Sequence, residues 1–255
     1  MSDLSAFSLA GKRILVTGAN TGIGQSIALS IARAGGAVVG VGRSATDETA
    51  EQIAAAGGRF EAVRCDLADH AAAQAMFDRI WEETGPLDGL VNNAGIIRRA
   101  DAVDLAEADW DDVIDVNLKT VFFLSQSFAQ RVLANPGRRG KIVNIASVLS
   151  FQGGIRVASY TASKHGVLGI TRLLACEWAS KGINVNSIAP GYIETNNTEA
   201  LRADPDRSAA ILARIPAGRW GEPEDIGDAA VFLLAPASNY MHGAVVPVDG
   251  GWLAR

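Results

Sequence analysis

The stretch Arg13-Ile14-Leu15-Val16-Thr17-Gly18-Ala19-Asn20-Thr21-Gly22-Ile23-Gly24-Gln25 decides the reading of the chain. Residues 14–16 form a short apolar, β-branched run, and residues 25–34 carry apolar side chains at helical spacing. Between them Gly18, Gly22 and Gly24 make a GxxxGxG turn, one residue longer than GxGxxG. Glycines in such a turn let the backbone approach a pyrophosphate, and the helix that follows points free N–H groups and its positive end at phosphates. Strand, glycine turn and helix in that order predict a dinucleotide cradle. Its candidate contacts are Gly18, Asn20, Thr21, Gly22, Ile23 and Gly24.

Outward from this stretch, strand and helix signals alternate. Strands are expected at 37–41, 60–64, 87–91, 141–145, 183–188 and 244–248. Helices are expected at 46–56, 71–83, 158–179 and 222–234, with one or more over 110–133. This alternation means parallel strands joined by helical crossovers, hence an α/β doubly wound sheet with helices on both faces. No repeat, linker or low-complexity tract interrupts it, and α/β units often reach about 250 residues. One domain over 1–255 is therefore expected. Residues 195–218 carry no strand signal and are expected to form a mobile lid over a site.

The formal net charge of −5 argues against a nucleic acid or a membrane surface as partner. No run approaches 18 apolar residues, and Met1 to Ala10 lack the pattern of a secretory leader, so a cytoplasmic location is expected. Cys65 and Cys176 form no CxxC pair and read as small buried hydrophobes in a reducing compartment. His70, His165 and His242 are scattered, so no metal is expected.

The expected strand ends converge on one edge of the sheet, where open α/β folds bind ligands. The second ends at Val41-Gly42-Arg43-Ser44. No acid stands there to accept from a ribose 2′-OH, and Arg43 suits a 2′-phosphate. NADP(H) is favoured, with NAD(H) admitted. Asp66, followed by Leu67, closes the third strand and faces an adenine amine. Asn93, Ala94 and Gly95 close the fourth and line the adenosine ribose.

Ser147 follows the fifth strand, Tyr160 lies in the next helix, and Lys164 comes one turn later on the same face. A tyrosine near pKa 10 is a poor base at neutral pH, and a neighbouring ammonium favours its phenolate. Tyr160 is then the proton-exchanging group, Ser147 fixes the substrate oxygen, and Lys164 also bridges the nicotinamide ribose. Asn117 is expected to hold a water linking Lys164 to solvent.

Together with Pro190-Gly191, these motifs make the chain resemble the short-chain dehydrogenase/reductase family over nearly all its length. The resemblance implies a Rossmann fold, hydride transfer between a nicotinamide nucleotide and a secondary alcohol or ketone, and Asn117, Ser147, Tyr160 and Lys164 as the catalytic four. It also implies that Ile193 and Thr195, after Pro190 and Gly191, contact the nicotinamide carboxamide. Segments such as 96–100, 150–156, 214–220 and 249–255 resemble a subgroup acting on keto-deoxy sugar acids from pectin and related uronates.

For such a substrate a guanidinium is wanted for the carboxylate, and Arg98, Arg99 and Arg156 all follow strand ends or the serine loop. The expectation is Arg156, with or without Arg98. Gln152, Asn196 and Asn197 offer groups for hydroxyls, and Tyr192 shapes the pocket. From resemblance a homotetramer is expected, with Trp252 and Arg255 against a neighbour. Alternatives are another secondary alcohol or ketone, such as gluconate, a polyol or a 3-oxoacyl thioester, and a non-catalytic nucleotide sensor. The intact Tyr160–Lys164 pair speaks against the sensor.

Overall fold

In a computed structural model, which describes residues 4–255, Arg13–Thr17 (β1) lies inside a seven-stranded, wholly parallel sheet. Met1 to Asp3, where the leader reading begins, lie outside the described residues. The other strands are Ala37–Gly42 (β2), Arg59–Arg64 (β3), Gly89–Asn92 (β4), Gly140–Ile145 (β5), Ile183–Pro190 (β6) and Val245–Val248 (β7), in the order β3-β2-β1-β4-β5-β6-β7. The chain winds outward from β1 to β3, then crosses back to β4 and winds the other way. Val16 registers with Gly40 on one side and Val91 on the other. The gap between β1 and β4 at the carboxyl ends is thus the switch point where such sheets bind ligands.

Helices cover both faces, so β1 is apolar at successive positions. Leu15 packs among Phe77 and Ile80 of His70–Thr84 (α3) and Leu124 and Phe128 of Thr120–Leu133 (α5). Ile14 and Val16 face Ile27 and Ile31 of Gly22–Arg33 (α1, preceding α3) and Ile226 and Leu233 of a helix near the end of the chain, Pro223–Leu234. Two apolar layers of this kind are what near-continuous Val/Ile strands require. The outer strand β3 exposes Arg59 and Arg64 at its two ends, which blunts that edge.

The long helical region predicted over 110–133 is Glu107–Ile114 (α4) and α5, joined by one wide π turn at Asp115–Lys119. Such widened turns occur often at functional sites, and this one carries Asn117. Asp47–Ala55 (α2) and Ala158–Trp178 (α6) follow expectation within two residues. The stretch without strand signals, 195–218, folds as Glu199–Ala203 (α7) and Pro205–Leu212 (α8). Asp204 starts α8 by accepting from the N–H groups of Asp206 and Arg207, and proline fits the first turn. Pro223–Leu234 is α9.

A buried chain of amides crosses the sheet beneath the carboxyl edge. Asn92 donates to Asn144 at 2.8 Å and to Ser125 at 3.0 Å, and Asn144 donates to Thr171 at 2.9 Å. Cys65 is buried as expected, whereas Cys176 is exposed: it lies on the outer side of α6, away from the sheet. No helix among the described residues is long and apolar enough to cross a membrane.

Candidate active site

The turn after β1 is built to receive phosphates. Thr21 precedes α1 without giving its side chain as a cap, so the first N–H groups of the helix have no side-chain acceptor. A Cβ on Gly24 would come within 2.0 Å of the Gly18 carbonyl and 2.4 Å of Asn93 Nδ2, so only glycine closes the turn this tightly. Asn93 Nδ2 donates to the Thr17 carbonyl at 2.9 Å, and Thr17 Oγ1 accepts from the N–H groups of Asn93 and Ala94. The Asn93 side chain therefore stitches β4 to the turn and also lines the cleft beside it.

From this turn one cleft of about 360 Å3 runs along the carboxyl edge. All positions expected to hold the nucleotide line it, from Gly18 through Arg43, Asp66 and Gly95 to Pro190 and Thr195. So do Ser147, Tyr160, Lys164 and Asn197. Cys65, Ser44 and Ile97 also line it and carry no sequence signal of their own.

Lys164 is buried, and its Nζ donates to the Ile145 carbonyl at 2.7 Å. Burial pushes its ammonium down to about 8. Tyr160 is raised by burial, with the Ser147 hydroxyl and the Arg99 charge acting in the opposite sense. Lys164 Nζ is turned to the backbone, 5.5 Å from the tyrosine ring centroid, and the influences that oppose the rise are Ser147 and Arg99.

Ser150, not assigned a role from sequence, accepts from the Ser147 N–H and donates to the Lys164 carbonyl at 2.7 Å. It pins the serine loop to the helix bearing the other two groups, a Ser-x-x-Ser pattern that is readable once the loop is known to start a helical turn. Asn117 is buried, with Oδ1 accepting from the Ile96 N–H and Nδ2 donating to the Ile96 carbonyl, both at 2.9 Å. Its amide thereby ties the π turn to the loop after β4.

The family described as Enoyl-(Acyl carrier protein) reductase matches residues 18–253. The chain is 57% identical to 2-dehydro-3-deoxy-D-gluconate 5-dehydrogenase of Escherichia coli (strain K12), over 99% of both chains.

The chain belongs to the short-chain dehydrogenase/reductase family. Two solved members of similar sequence share the fold. One, from Agrobacterium tumefaciens and described as a 2-deoxy-D-gluconate 3-dehydrogenase with bound NADP, has a TM-score of 0.92 at 62% identity, covering 98% of this chain and 99% of that one. The other, from Beutenbergia cavernae, is described as an NAD(P)-dependent gluconate 5-dehydrogenase with bound NADP. It has a TM-score of 0.95 at 52% identity, covering 98% and 100%.

The substrate end of this short-chain dehydrogenase/reductase differs from expectation. Arg98 pairs with Asp109 at 3.3 Å and Asp112 at 2.9 Å, on α4 and outside the cleft lining. Arg156, in a left-handed backbone conformation at φ 63°, turns an exposed side chain to Asp101 at 3.3 Å. Gln152 also lies outside the lining. Tyr192 packs with Trp220 and Trp252 instead. Arg99, by contrast, donates to the Asn197 carbonyl at 3.0 Å, and its charge is felt at Tyr160. Among the three candidate arginines it is the one electrostatically coupled to the tyrosine.

The nucleotide end fits a dinucleotide with an additional phosphate. Arg43 makes no ion pair among the described residues and lines the cleft. A Cβ at Gly42 would meet the Ser44 carbonyl at 2.9 Å, so the acid that accepts from a ribose 2′-OH has no room there.

Proposed function

We propose that this chain is an NADP(H)-dependent dehydrogenase that interconverts a ketone and a secondary alcohol on a keto-deoxy sugar acid, in the manner of 2-dehydro-3-deoxy-D-gluconate 5-dehydrogenases and 2-deoxy-D-gluconate 3-dehydrogenases. The observation that carries this reading is one continuous cleft joining the glycine turn and Arg43 to Ser147, Tyr160 and Lys164. The bound nucleotide supplies or takes the hydride.

The protein side of the reaction follows from the geometry. Ser147 and Tyr160, which line the same cleft, converge on one substrate oxygen. Burial keeps the Tyr160 phenol protonated, which suits it to give its proton to a ketone oxygen. Lys164, charged below about pH 8, keeps a positive charge 5.5 Å from the centre of the Tyr160 ring. Asn117 holds the Ile96 loop, and so Arg99, at the mouth. Arg99 keeps N–H groups beyond its bond to Asn197 for a paired contact with the carboxylate. This role replaces the one expected of Arg156 and Arg98, whose guanidinium groups face Asp101 and the α4 acids.

The same reading takes 1–255 as one domain with 195–218 as the cover of the substrate end. It places the protein in the cytoplasm as a homotetramer.

The test is oxidation of NADPH and of NADH, followed by near-ultraviolet absorbance, with a keto-deoxy sugar acid and with a neutral ketone of equal size. Turnover confined to the acid, and faster with NADPH, is the expected result; equal turnover of the neutral ketone overturns the carboxylate reading. Oxidation of D-gluconate is run beside it, because the Beutenbergia cavernae relative is described as a gluconate 5-dehydrogenase.

A further inference from the structure

The segment after β7 folds back beneath the helices of 199–212. Asp249 shapes it: its carboxylate accepts from the N–H groups of Gly251 at 2.8 Å and Leu253 at 2.9 Å, which starts the turn Trp252–Ala254. Trp252 is thereby buried to 3% exposure among Ile211, Ile215, Trp220 and Val148. The Arg214 guanidinium lies 4.0 Å from the centre of its ring. Arg255 reaches further and donates to the Ala213 carbonyl at 2.7 Å, where the free carbonyls of α8 end. The Gly250 carbonyl accepts from the Ala217 N–H at 2.9 Å.

These contacts all grip the same few residues, 211–217, the far half of the segment over the cleft. The near half, 195–198, lines the cleft itself. The aromatic cluster also reaches the catalytic side directly: Val148 is bonded to Ser147, and Tyr192, 4.7 Å from Trp252 between ring centroids, follows Gly191. Trp252 and Arg255 themselves lie outside the cleft lining. They act on the substrate end through α8 and the turn after it and, for Trp252, through Val148 and Tyr192.

We propose that Trp252 and Arg255 are positioning residues that hold the far end of the 195–218 segment, so that its near end is set over the substrate, and that they govern substrate affinity while leaving the nucleotide end alone. This rests on the reading of 195–218 as a cover for the substrate. When the grip loosens, the segment samples open positions, and the apparent substrate affinity falls by the fraction of time spent open.

The experiment uses Arg255→Ala, Arg255→Lys and Trp252→Phe in the full chain. Two readouts are taken. Limited trypsin digestion, followed by mass spectrometry, reports cuts after Arg202, Arg207 and Arg214 and needs no substrate. Steady-state kinetics give KM for the keto acid and for NADPH separately. Arg255→Ala is expected to raise both the cutting rate and the keto-acid KM by about fivefold, a size fitting one lost charge-assisted hydrogen bond at a half-open site. KM for NADPH stays within about twofold, and Arg255→Lys recovers part of the loss. Trp252→Phe keeps the ring and the fold and gives the same shift more weakly.

The proposal is overturned if Arg255→Ala and Trp252→Phe both digest like the parent protein, or if KM for NADPH rises as much as KM for the keto acid. If the parent protein turns over no sugar acid, the functional reading fails, and the digestion pattern still decides whether the segment is held from Trp252 and Arg255.

Discussion

The two ends of this parallel sheet are made of the same strands and treat polar groups in opposite ways. At the amino ends Lys12, Arg13 and Arg138 each meet an acceptor. Asp88 accepts from the Arg13 N–H at 3.0 Å and pairs with Lys12 at 3.5 Å and Arg138 at 3.7 Å. The Arg13 guanidinium pairs with Glu61 at 2.6 Å and donates to the Thr84 and Gly85 carbonyls. At the carboxyl ends the start of α1 goes without a side-chain cap, Arg43 has no ion pair among the described residues, and Tyr160 and Lys164 are shifted by burial in opposite directions. α3, which lies away from the cleft, is capped in the ordinary way by Asp69. One end is closed on itself and serves the fold. The other holds unmatched donors and charges in place for something that is not protein, and that contrast marks the site more sharply than any single residue.

Substitutions of the open end's reacting and charged groups should change chemistry and leave stability nearly alone. Tyr160→Phe has the largest expected effect, a fall in kcat of about 10²- to 10⁴-fold, the usual range for removal of a general acid. Its melting temperature, followed by circular dichroism, stays close to that of the parent. A normal kcat in this variant would remove Tyr160 from the reaction. Gly24→Ala and Arg43→Ala separate the two parts of the nucleotide end. The first forces a methyl against the Gly18 carbonyl and is expected to weaken both nucleotides. The second should lower kcat/KM for NADPH by about 10- to 100-fold, the worth of a charge-assisted contact, with little change for NADH. Equal losses for both nucleotides in Arg43→Ala would show that the arginine does not select between them.

The shifted pKa of Lys164 gives a pH profile. Its ammonium is present below about pH 8 and lost above it. Ketone reduction should therefore be flat in kcat/KM below pH 8 and fall about tenfold per unit above it. Unfolding does not explain such a fall. Lys141, like Lys164, is lowered by burial to about 8, from an ordinary value of 10.5. A lysine lowered in the folded state binds fewer protons there than in the unfolded chain, so both residues make the fold more stable as pH rises from about 8 towards 10.5. A profile still flat at pH 9.5 would show that the charge on Lys164 is not needed. The smallest effect belongs to the closed end: Asp88→Ala should cost about 1–3 kcal/mol in a urea melt, because a backbone N–H and two cations lose their acceptor, with kcat unchanged.

The sheet was legible because its signals are local: a strand is a short apolar run, a helix has its own period, and alternation permits few topologies. The glycine turn and Tyr160-Lys164 were legible because their spacing alone forces them together. What escaped depends on distant partners or on backbone shape. The π turn at Asp115–Lys119 contains neither proline nor glycine to announce it. Arg156 looked the better carboxylate ligand, but its direction is set by a left-handed backbone and by Asp101, 55 positions away. Tyr192 looked like a pocket residue, and its true neighbours, Trp220 and Trp252, come from two separate later segments.

The buried amides of Asn92 and Asn144 reach beyond stability. They sit opposite each other on β4 and β5, and Asn144 continues to Thr171 on the helix that carries Tyr160 and Lys164. They work as a key in a lock. If β5 slid by one residue against β4, each amide would point to the other face of the sheet and lose its partner, at a cost of about 1–3 kcal/mol apiece. The wrong alignment is thereby rejected during folding, before any ligand arrives. The distance from Ser147, three residues beyond Asn144, to the Tyr160 helix is then a matter of assembly fidelity, fixed by a pair of side chains that never meet the substrate.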